Sequence, residues 1–254
     1  KVLTAFHVNP RSSMFTPSKE NYIQQLSIDC VIFGYQSNQL KVLLPKLKFK
    51  GDFLGLPGGF IQQHEDIDQA AYRILQHRTG IEEIYMAQFH VFGNANRNSA
   101  DFMKQLLKLN PDKENQIQMH PHELDWMTQR FVSIGYYALV DIGQVIPTKN
   151  ELDESIGWYN IQDLPKLMMD HSEIVENALH TLRQRFSEQL FAFNLLPETF
   201  TMKDLQELYE TVYDKAYARN NFQKKMLDLQ VLERLEKKFT GASNKAPYLY
   251  RFKK

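Results

Sequence analysis

The chain has 254 residues with 30 basic and 30 acidic side chains, so its formal net charge of zero indicates neither an acidic nor a basic partner. Hydrophobic residues make up 43% and aromatic residues 12%, with only 11 Gly and 10 Pro, which excludes a disordered or fibrous protein and leaves one large or two smaller domains. The single cysteine, Cys30, excludes an internal disulfide framework, and no apolar run approaches the roughly 18–20 residues that span a membrane, so we expect a cytoplasmic protein without a membrane partner.

The first elements in chain order predict an arm, a hairpin and a loop. Residues 1–21 show no sustained period and are expected to form an N-terminal arm. Apolar runs at 26–35 and 40–47, with a short polar break between them, predict a β-hairpin. Pro45 inside the second run indicates a sheet edge or a bulge. A glycine-rich loop follows at 51–59.

The middle of the chain predicts further mixed structure. Apolar residues at three-to-four spacing predict an amphipathic helix at 65–79, which Gly80 ends. Strands are predicted at 84–92 and 131–142. Between them, residues 94–129 are polar and irregular apart from one apolar patch. We interpret this stretch as an insertion that contains a short helix.

Predicted strands and helices are mixed up to residue 193, and after it the chain is predicted to be almost all helix. After a strand at 155–161 and a helix at 172–186, a further helix begins at Thr201, which forms a capping-box pattern with Asp204. A second helix is predicted from 219 or 220 to 238, and the tail after 245 alternates like a short strand. Helix, turn, helix and strand in this order are the outline of a winged helix-turn-helix.

The zero net charge hides a separation of charge along the chain. Residues 194–254 carry nine Lys, three Arg and eight acidic side chains, a net charge of +4, so the rest carries −4. In 219–254, ten basic side chains and three acidic ones leave +7. On a winged-helix outline this indicates a surface for DNA phosphates, with a solvated helix face as the alternative. We expect an arm at 1–21, one domain at 22–165 and a DNA-binding domain at 166–254.

The second of these two helices is the predicted recognition helix. In the major groove, Asn and Gln pair with adenine, and Lys or Arg pairs with guanine or phosphate. Phe222 and Met226 are expected to face the core, and Asn220 is either a base contact or only the helix N-cap. The candidate DNA contacts are Arg219, Asn220, Asn221, Gln223, Lys224 and Lys225, with Lys245, Arg251 and Lys253 on the predicted wing.

A second motif spans the glycine-rich loop and the helix after it. Its residues are Gly58, Gly59, Glu65, Arg73 and Gly80. In spacing it resembles the box of the Nudix family, G-x5-E-x7-R-E-U-x-E-E-x-G-U, where U is aliphatic. The three other glutamates of that box fall on Ile74, His77 and Arg78.

The resemblance implies a hydrolase scaffold without its metal ligands. In Nudix hydrolases the helix glutamates bind divalent metals, which neutralise a diphosphate and activate water, and Mg²⁺ requires oxygen ligands. Ile74, His77 and Arg78 change the local formal charge from −3 to +1, so we expect no metal, no cofactor and no catalytic residue. Glu65 is expected to pair with Arg73 as a structural brace, with a residual metal ligand as the alternative.

A degenerate box joined to a winged helix resembles the Nudix-related transcriptional regulators of bacteria. Further parts of that pattern occur at 131–140, 158–159, 163–165, 195–197, 200–201, 205–210, 221–222 and 249–252. The resemblance implies an α+β protein: a Nudix-type α/β/α sandwich with a mixed sheet, then a mostly α winged helix-turn-helix domain. It also implies a homodimer that binds double-stranded operator DNA and senses an ADP-ribose-type nucleotide or a sugar such as arabinose.

The effector is expected in the cleft that a hydrolase would use. The expected contacts are Asp52, Phe53, Leu56, His77, Arg78, Tyr136 and Glu154. His77 and Arg78 favour a phosphate-bearing ligand, whereas a sugar needs only hydrogen-bond donors. One alternative is an active hydrolase of a nucleoside diphosphate derivative such as ADP-ribose, with carboxylates from Glu82, Glu83, Asp153 or Glu154. Another is a protein-binding adaptor whose basic helix is buried against a partner.

Overall fold

The structure is a computed structural model that describes residues 21–97, 99–111, 126, 128–186, 195–238 and 246–253. The expected N-terminal arm, except residue 21, and the predicted wing residue Lys245 lie outside the described residues. Of the expected insertion at 94–129, residues 98, 112–125 and 127 also lie outside them.

A mixed sheet forms the centre of the first domain. Within the described residues its strands are β1 (Tyr22–Gln36), β2 (Gln39–Leu47), β3 (Gly58–Gln62), β4 (Tyr85–Phe92), β5 (Val132–Asp141) and β6 (Asp153–Asn160). They lie in the order β4-β5-β1-β2-β6, and β3 also pairs with β1. Strand β1 is parallel to β5 and antiparallel to β2 and β3, so the predicted mixed sheet is confirmed.

Helices cover both faces of this sheet. They are α1 (Ile67–Thr79), α2 (Ala100–Leu109) and α3 (His171–Arg185). Successive side chains of a strand point to opposite faces. In β1, Ile28 and Ile32 therefore pack in one core with α1, whereas Val31 and Phe33 pack in a second core with α3. This is the expected α/β/α sandwich.

The predicted hairpin is present. Its turn residues Ser37 and Asn38 have φ values of 53° and 58°, as in the tight turns that match strand twist. Pro45 lies in β2, which is an interior strand rather than an edge, and a register irregularity follows it at Lys46 and Leu47. Because β1 pairs with β2 no further than Val42, Pro45 removes no donor from that pairing.

The helix α1 begins and ends with local signals. It begins at residue 67, two residues later than predicted, behind a capping box formed by Asp66 and Gln69. Gly80 ends it in the left-handed conformation with φ 71°. The strand β3 was not predicted, because its glycines indicated a loop. A Cβ at Gly58 would lie 2.7 Å from the Ile28 carbonyl oxygen, so the close pairing with β1 requires glycine.

The second domain is a small winged helix. It consists of β7 (Phe200–Thr201), α4 (Met202–Tyr213), α5 (Arg219–Asp228), β8 (Leu232–Lys237) and β9 (Tyr248–Phe252), with the strands in the order β7-β9-β8. The predicted capping box is confirmed: the Thr201 and Asp204 side chains each accept a hydrogen bond from the other's backbone N–H.

The predicted second helix is too long. It ends at Asp228 instead of residue 238, because Gln230 takes a left-handed conformation with φ 56° and the chain continues as β8. Leu229 and Leu232 continue the helical spacing of apolar residues. Strand β8 forms instead because β9, from the end of the chain, pairs with it at Arg234 and Tyr250.

Helix α3 connects the two domains. Its residues Ile174 and Val175 pack against the central sheet, and Leu182 and Phe186 continue the same core towards Tyr209 of α4. These contacts favour a domain boundary after α3 rather than between residues 165 and 166. None of the helices in the described part of the chain has the length and apolar character of a membrane span.

Candidate functional site

Helix α5 displays the polar surface that the second domain was expected to carry. Phe222 and Met226 are buried, which sets the orientation of the helix. Its first residue follows the N-cap Ala218, so Asn220 stands in the first turn and its alternative role as the N-cap is wrong. Five candidate contacts are exposed and one is half-buried: Arg219, Asn220, Asn221, Lys224 and Lys225, and Gln223.

Side chains of α4 fix the turn that leads into α5. Asp214 ends α4 with φ 50°. The Glu210 carboxylate accepts hydrogen bonds from Gln206 Nε2 at 2.9 Å and from the Tyr217 N–H at 2.8 Å. These two bonds hold the pKa of Glu210 below its ordinary value. Gln206 also donates to the Tyr217 carbonyl at 2.9 Å, so the angle between α4 and α5 is set by three hydrogen bonds.

The wing formed by β8 and β9 carries further cations. Arg251 donates to Glu233 at 2.7 Å, which lowers the pKa of that carboxyl group and neutralises part of the wing's charge. The guanidinium of Arg234 lies over the ring of Tyr248, 4.6 Å from its centroid. Lys253 is exposed at the end of β9. The wing can therefore contact phosphates with Lys253 and with part of the Arg251 side chain.

In the first domain, Glu65 and Arg73 form the expected brace. Arg73 Nε donates to Glu65 Oε2 at 2.9 Å, and Arg73 Nη2 donates to Glu65 Oε1 at 2.5 Å and to the Phe60 carbonyl at 2.9 Å. Glu65 Oε1 also accepts the Gln62 N–H at 2.8 Å. Burial acts to raise the pKa of Glu65, but the bonds from Arg73 and Gln62 outweigh it and lower that pKa.

We expect Glu65→Gln to lower the free energy of unfolding at pH 7 by about 1–2 kcal/mol, because it removes the negative charge that accepts these hydrogen bonds. The effect stays this small because the Arg73 side chain is 41% exposed and solvent screens its charge. Because the pKa of Glu65 is lowered in the folded state, its carboxylate stabilises the fold fully at a pH above the ordinary value of 4.5. This stabilisation is lost as the pH falls through the lowered pKa. Urea unfolding at pH 7 and near pH 3 measures both effects. Glu82→Gln, at an exposed carboxylate, is the control, and a difference that grows in acid would contradict the brace.

The three substituted box positions present no carboxylate. Ile74 is buried in the core with the sheet, and His77 is exposed. Arg78 is 4% exposed, and its guanidinium donates to the Asp153 carboxylate and, at 3.3 Å, to the Thr148 carbonyl. The expectation that Arg78 offers donors to a ligand is therefore corrected, because a buried carboxylate already neutralises it.

The ion pair of Arg78 with Asp153 argues against the alternative of an active hydrolase. The Asp153 side chain is 2% exposed and is held by Arg78, so it is not free to bind a metal. Glu82, Glu83 and Glu154 are exposed. In the parts of the chain that the structure describes, no three His, Cys, Asp or Glu side chains are grouped so as to hold a metal ion.

The residues expected to bind the effector do not line one cleft. Asp52 and Glu154 lie on either side of Lys46, whose Nζ is 2.8 Å from Asp52 Oδ1 and 3.0 Å from Glu154 Oε2. The hydrogen bond from Lys46 lowers the pKa of Asp52. The bonds to Asp52 and to Glu154 raise the pKa of Lys46. With 88% of the Asp52 side chain exposed, this is an ion-pair triplet on the surface.

The apolar candidates are engaged inside the domain. Phe53 packs edge-on against an aromatic ring of α2. Leu56 is buried, and its backbone N–H donates to Nδ1 of His171 at 2.9 Å. The Tyr136 hydroxyl donates to Asp68 on α1, and burial followed by this bond raises the pKa of Tyr136. The seven candidates thus belong to separate environments on different faces of the sheet.

A buried polar cluster beneath α3 was not predicted. The Arg97 guanidinium donates to Asp170 at 2.6 and 3.1 Å and to Asp29 at 3.3 Å. Asp29 also accepts the Ser133 hydroxyl at 2.5 Å and lies 3.7 Å from Nε2 of His171. The available signal in the sequence was a single carboxylate, Asp29, inside an apolar strand. Its partners come from three other segments, so spacing could not identify them.

Family models match most of the chain. A model described as NUDIX domain matches residues 24–178, and one described as NrtR DNA-binding winged helix domain matches residues 192–252.

Similar proteins span nearly the same length. A protein of Acinetobacter baylyi named ADPR responsive transcriptional repressor NtrR is 23% identical over 233 residues, which cover 89% of this chain and 81% of that protein. The crystal structure of Shewanella oneidensis NrtR complexed with a 27mer DNA is 25% identical with a TM-score of 0.68, and the structure of that protein alone is 26% identical with a TM-score of 0.66. Each of these matches covers 91% of this chain and 94% of the other.

Proposed function

We propose, because this chain belongs to the NUDIX domain family and carries an NrtR-type winged helix domain after it, that it is a transcriptional repressor whose effector is ADP-ribose. Its general role is that of a metabolite-responsive DNA-binding transcriptional regulator with a Nudix sensor domain. The observation that carries the proposal is the combination of a Nudix box without its carboxylates and a winged helix whose α5 exposes Asn, Arg and Lys side chains.

The geometry of the second domain supports DNA as the partner. In a winged helix-turn-helix the second helix enters the major groove and the wing contacts the backbone. Here α5 turns Phe222 and Met226 inwards and the polar residues outwards, while Lys253 extends the positive charge onto the wing. The adaptor alternative would require a partner to bury this exposed polar surface.

The name of the Acinetobacter relative supports ADP-ribose as the effector. Arg78 no longer supports a phosphate-bearing ligand, because Asp153 neutralises it. The choice between ADP-ribose and a sugar such as arabinose therefore rests on the relatives. A homodimer with two-fold symmetry would bind a pseudo-palindromic operator, and a regulator of this kind would act in the bacterial cytoplasm.

We expect ADP-ribose to change the apparent Kd for the duplex upstream of the gene by about 5–150-fold, the usual range of coupling between two sites, and arabinose to leave it unchanged. Fluorescence anisotropy at moderate salt measures this, with a random duplex as control. In a thermal-shift experiment ADP-ribose should raise the melting temperature, since it binds the folded state. No preference for the upstream duplex would contradict DNA recognition, and a response to arabinose alone would contradict the effector.

We expect no Mg²⁺-dependent release of AMP or phosphate from ADP-ribose. The box positions carry Ile74, His77 and Arg78, and the buried pair of Arg78 with Asp153 leaves no carboxylate there for a metal. Product release can be followed by chromatography, with a Nudix hydrolase that has a complete box as the positive control. Metal-dependent turnover would instead support the hydrolase that uses carboxylates outside the box.

A further inference from the structure

A side chain from the sensor domain caps a helix of the winged helix. Arg183, near the end of α3, donates from Nε to the Val212 carbonyl at 2.7 Å. Val212 lies in the last turn of α4, where backbone carbonyls have no partner within the helix. A cation at this end also interacts favourably with the helix dipole. Arg183 therefore fixes the C-terminal end of α4 to the sensor domain.

The hairpin of the central sheet contacts the same turn of α4. The Thr211 hydroxyl donates its one proton to the Glu207 carbonyl at 2.7 Å, and its oxygen lies 3.3 Å from the carbonyl oxygen of Asn38, at the tip of the β1–β2 turn. The Asn38 side chain is held in turn by the Tyr35 hydroxyl at 3.1 Å. Two separate elements of the sensor domain thus meet adjacent residues of α4: α3 binds Val212, and the hairpin contacts Thr211.

The opposite end of α3 is anchored in the sensor. Asp170, directly before α3, binds Arg97 through both carboxylate oxygens. His171, its first residue, accepts the backbone N–H of Leu56, in the loop that leads to the box glycines. The helix has 15 residues and so a length of about 22 Å. A single rigid element therefore runs from the box loop to α4.

The end of α4 that Arg183 binds is joined by one turn to α5, the predicted recognition helix. Beyond Val212, the turn held by Glu210 and Tyr217 sets the direction of α5. A cavity of about 160 Å³ lies beside Arg183, between the hairpin and α4. Its lining includes Asn38, Thr211 and Asp214. Arg183 and Leu179 of α3 also line it, so it lies where the sensor domain and α4 meet.

We propose that Arg183 and Asn38 of the sensor domain, with Thr211 and Val212 of α4, form a latch that transmits effector binding to α5. The proposal rests on the proposed function, and Arg183 is a positioning residue in it. A ligand changes DNA affinity only if it favours one arrangement of the whole protein over another. The latch joins the sensor to the helix end that directs α5, so its loss uncouples the two sites.

The test measures a ratio, the Kd for the upstream duplex with saturating ADP-ribose over the Kd without it. We expect Arg183→Ala to move this ratio towards one by about 2- to 30-fold, the range seen for residues that carry coupling. The affinity for ADP-ribose itself, measured by calorimetry, should stay close to wild type. Arg183→Lys keeps a cation that can cap α4 and should restore part of the ratio.

Controls separate the latch from a general loss of structure. Gln184→Ala alters the exposed neighbour of Arg183 on α3 and should leave the ratio unchanged. Thr211→Val replaces the hydroxyl that faces the Asn38 carbonyl with a methyl group of the same shape, so it tests the latch if Arg183→Ala does not fold. A wild-type ratio in both Arg183→Ala and Thr211→Val overturns the latch alone. A wild-type protein that does not respond to ADP-ribose overturns the proposed function and the latch with it.

Discussion

Replacing Asn220 and Lys224 together with alanine is expected to weaken binding to the upstream duplex by about 30-fold or more. The two side chains are four residues apart on α5, on the side away from the buried Phe222 and Met226, so they share one exposed face. A base-edge or phosphate contact contributes about 1–3 kcal/mol, and each 1.4 kcal/mol is a tenfold change in Kd. Fluorescence anisotropy with the upstream and a random duplex measures the loss.

The single variants should separate base reading from phosphate binding. Asn220→Ala should reduce the preference for the upstream duplex over the random one, because an amide pairs with a base edge. Lys224→Ala should weaken both duplexes alike and reduce the slope of log K against log salt by about one. Titrations at three or more salt concentrations resolve these two patterns.

A matched control removes the same charge elsewhere. Lys108 is exposed on α2 of the sensor domain, so Lys108→Ala should leave the affinity for the upstream duplex unchanged. If the double variant of Asn220 and Lys224 binds the duplex as tightly as the wild type, α5 is not the recognition helix. That result would favour the adaptor alternative.

The second large effect concerns the ion pair inside the sensor domain. Arg78→Ala is expected to lower the free energy of unfolding by about 3–5 kcal/mol, because it leaves the Asp153 carboxylate buried without its counter-charge. Within the described residues, the Asp153 carboxylate would then keep the backbone N–H of Asn150, which donates at 2.8 Å, as its one hydrogen-bond donor. Urea unfolding, with the slope compared between variants, measures the change.

Two variants test this explanation. His77→Ala changes the exposed neighbour in the box and should stay within about 0.5 kcal/mol of the wild type. Replacing both Arg78 and Asp153 with leucine removes both buried charges and should recover much of the loss, since apolar residues of similar volume often replace a buried pair without cost. An Arg78→Ala variant as stable as His77→Ala would show that the pair contributes nothing.

The pair also explains how the chain fills the position where the box of a hydrolase has a metal ligand. Arg78 joins the end of α1 to β6 through Asp153 and to the segment before β6 through the Thr148 carbonyl. In this chain the helix end is thus held to the sheet by a guanidinium and a carboxylate. The sequence showed that Arg78 replaces a glutamate, and the structure shows what it binds.

Features with neighbouring partners were predictable from the sequence. The capping box of Thr201 and Asp204, the helix end at Gly80 and the pair of Glu65 with Arg73 all join residues at most eight positions apart. The first two are set by the backbone geometry of a helix end, so their spacing is sufficient evidence. Glu65 lies just before α1, and its pairing with Arg73 was expected from the spacing of the box. Apolar runs likewise predicted most of the strands, whereas the α/β/α sandwich was implied by the resemblance to the Nudix-related regulators.

Features with distant partners were decided by the tertiary structure. The apolar spacing after Asp228 predicted more helix, but pairing with β9 makes the segment a strand. Asp153 lies 75 residues from Arg78, and Thr211 lies 173 residues from Asn38. The sequence by itself determined the two domains, the loss of the box carboxylates and the polar face of α5. The fold decided which charged side chains are buried in pairs and how the sensor holds the recognition domain, because such contacts depend on which segments pack together and not on their spacing along the chain.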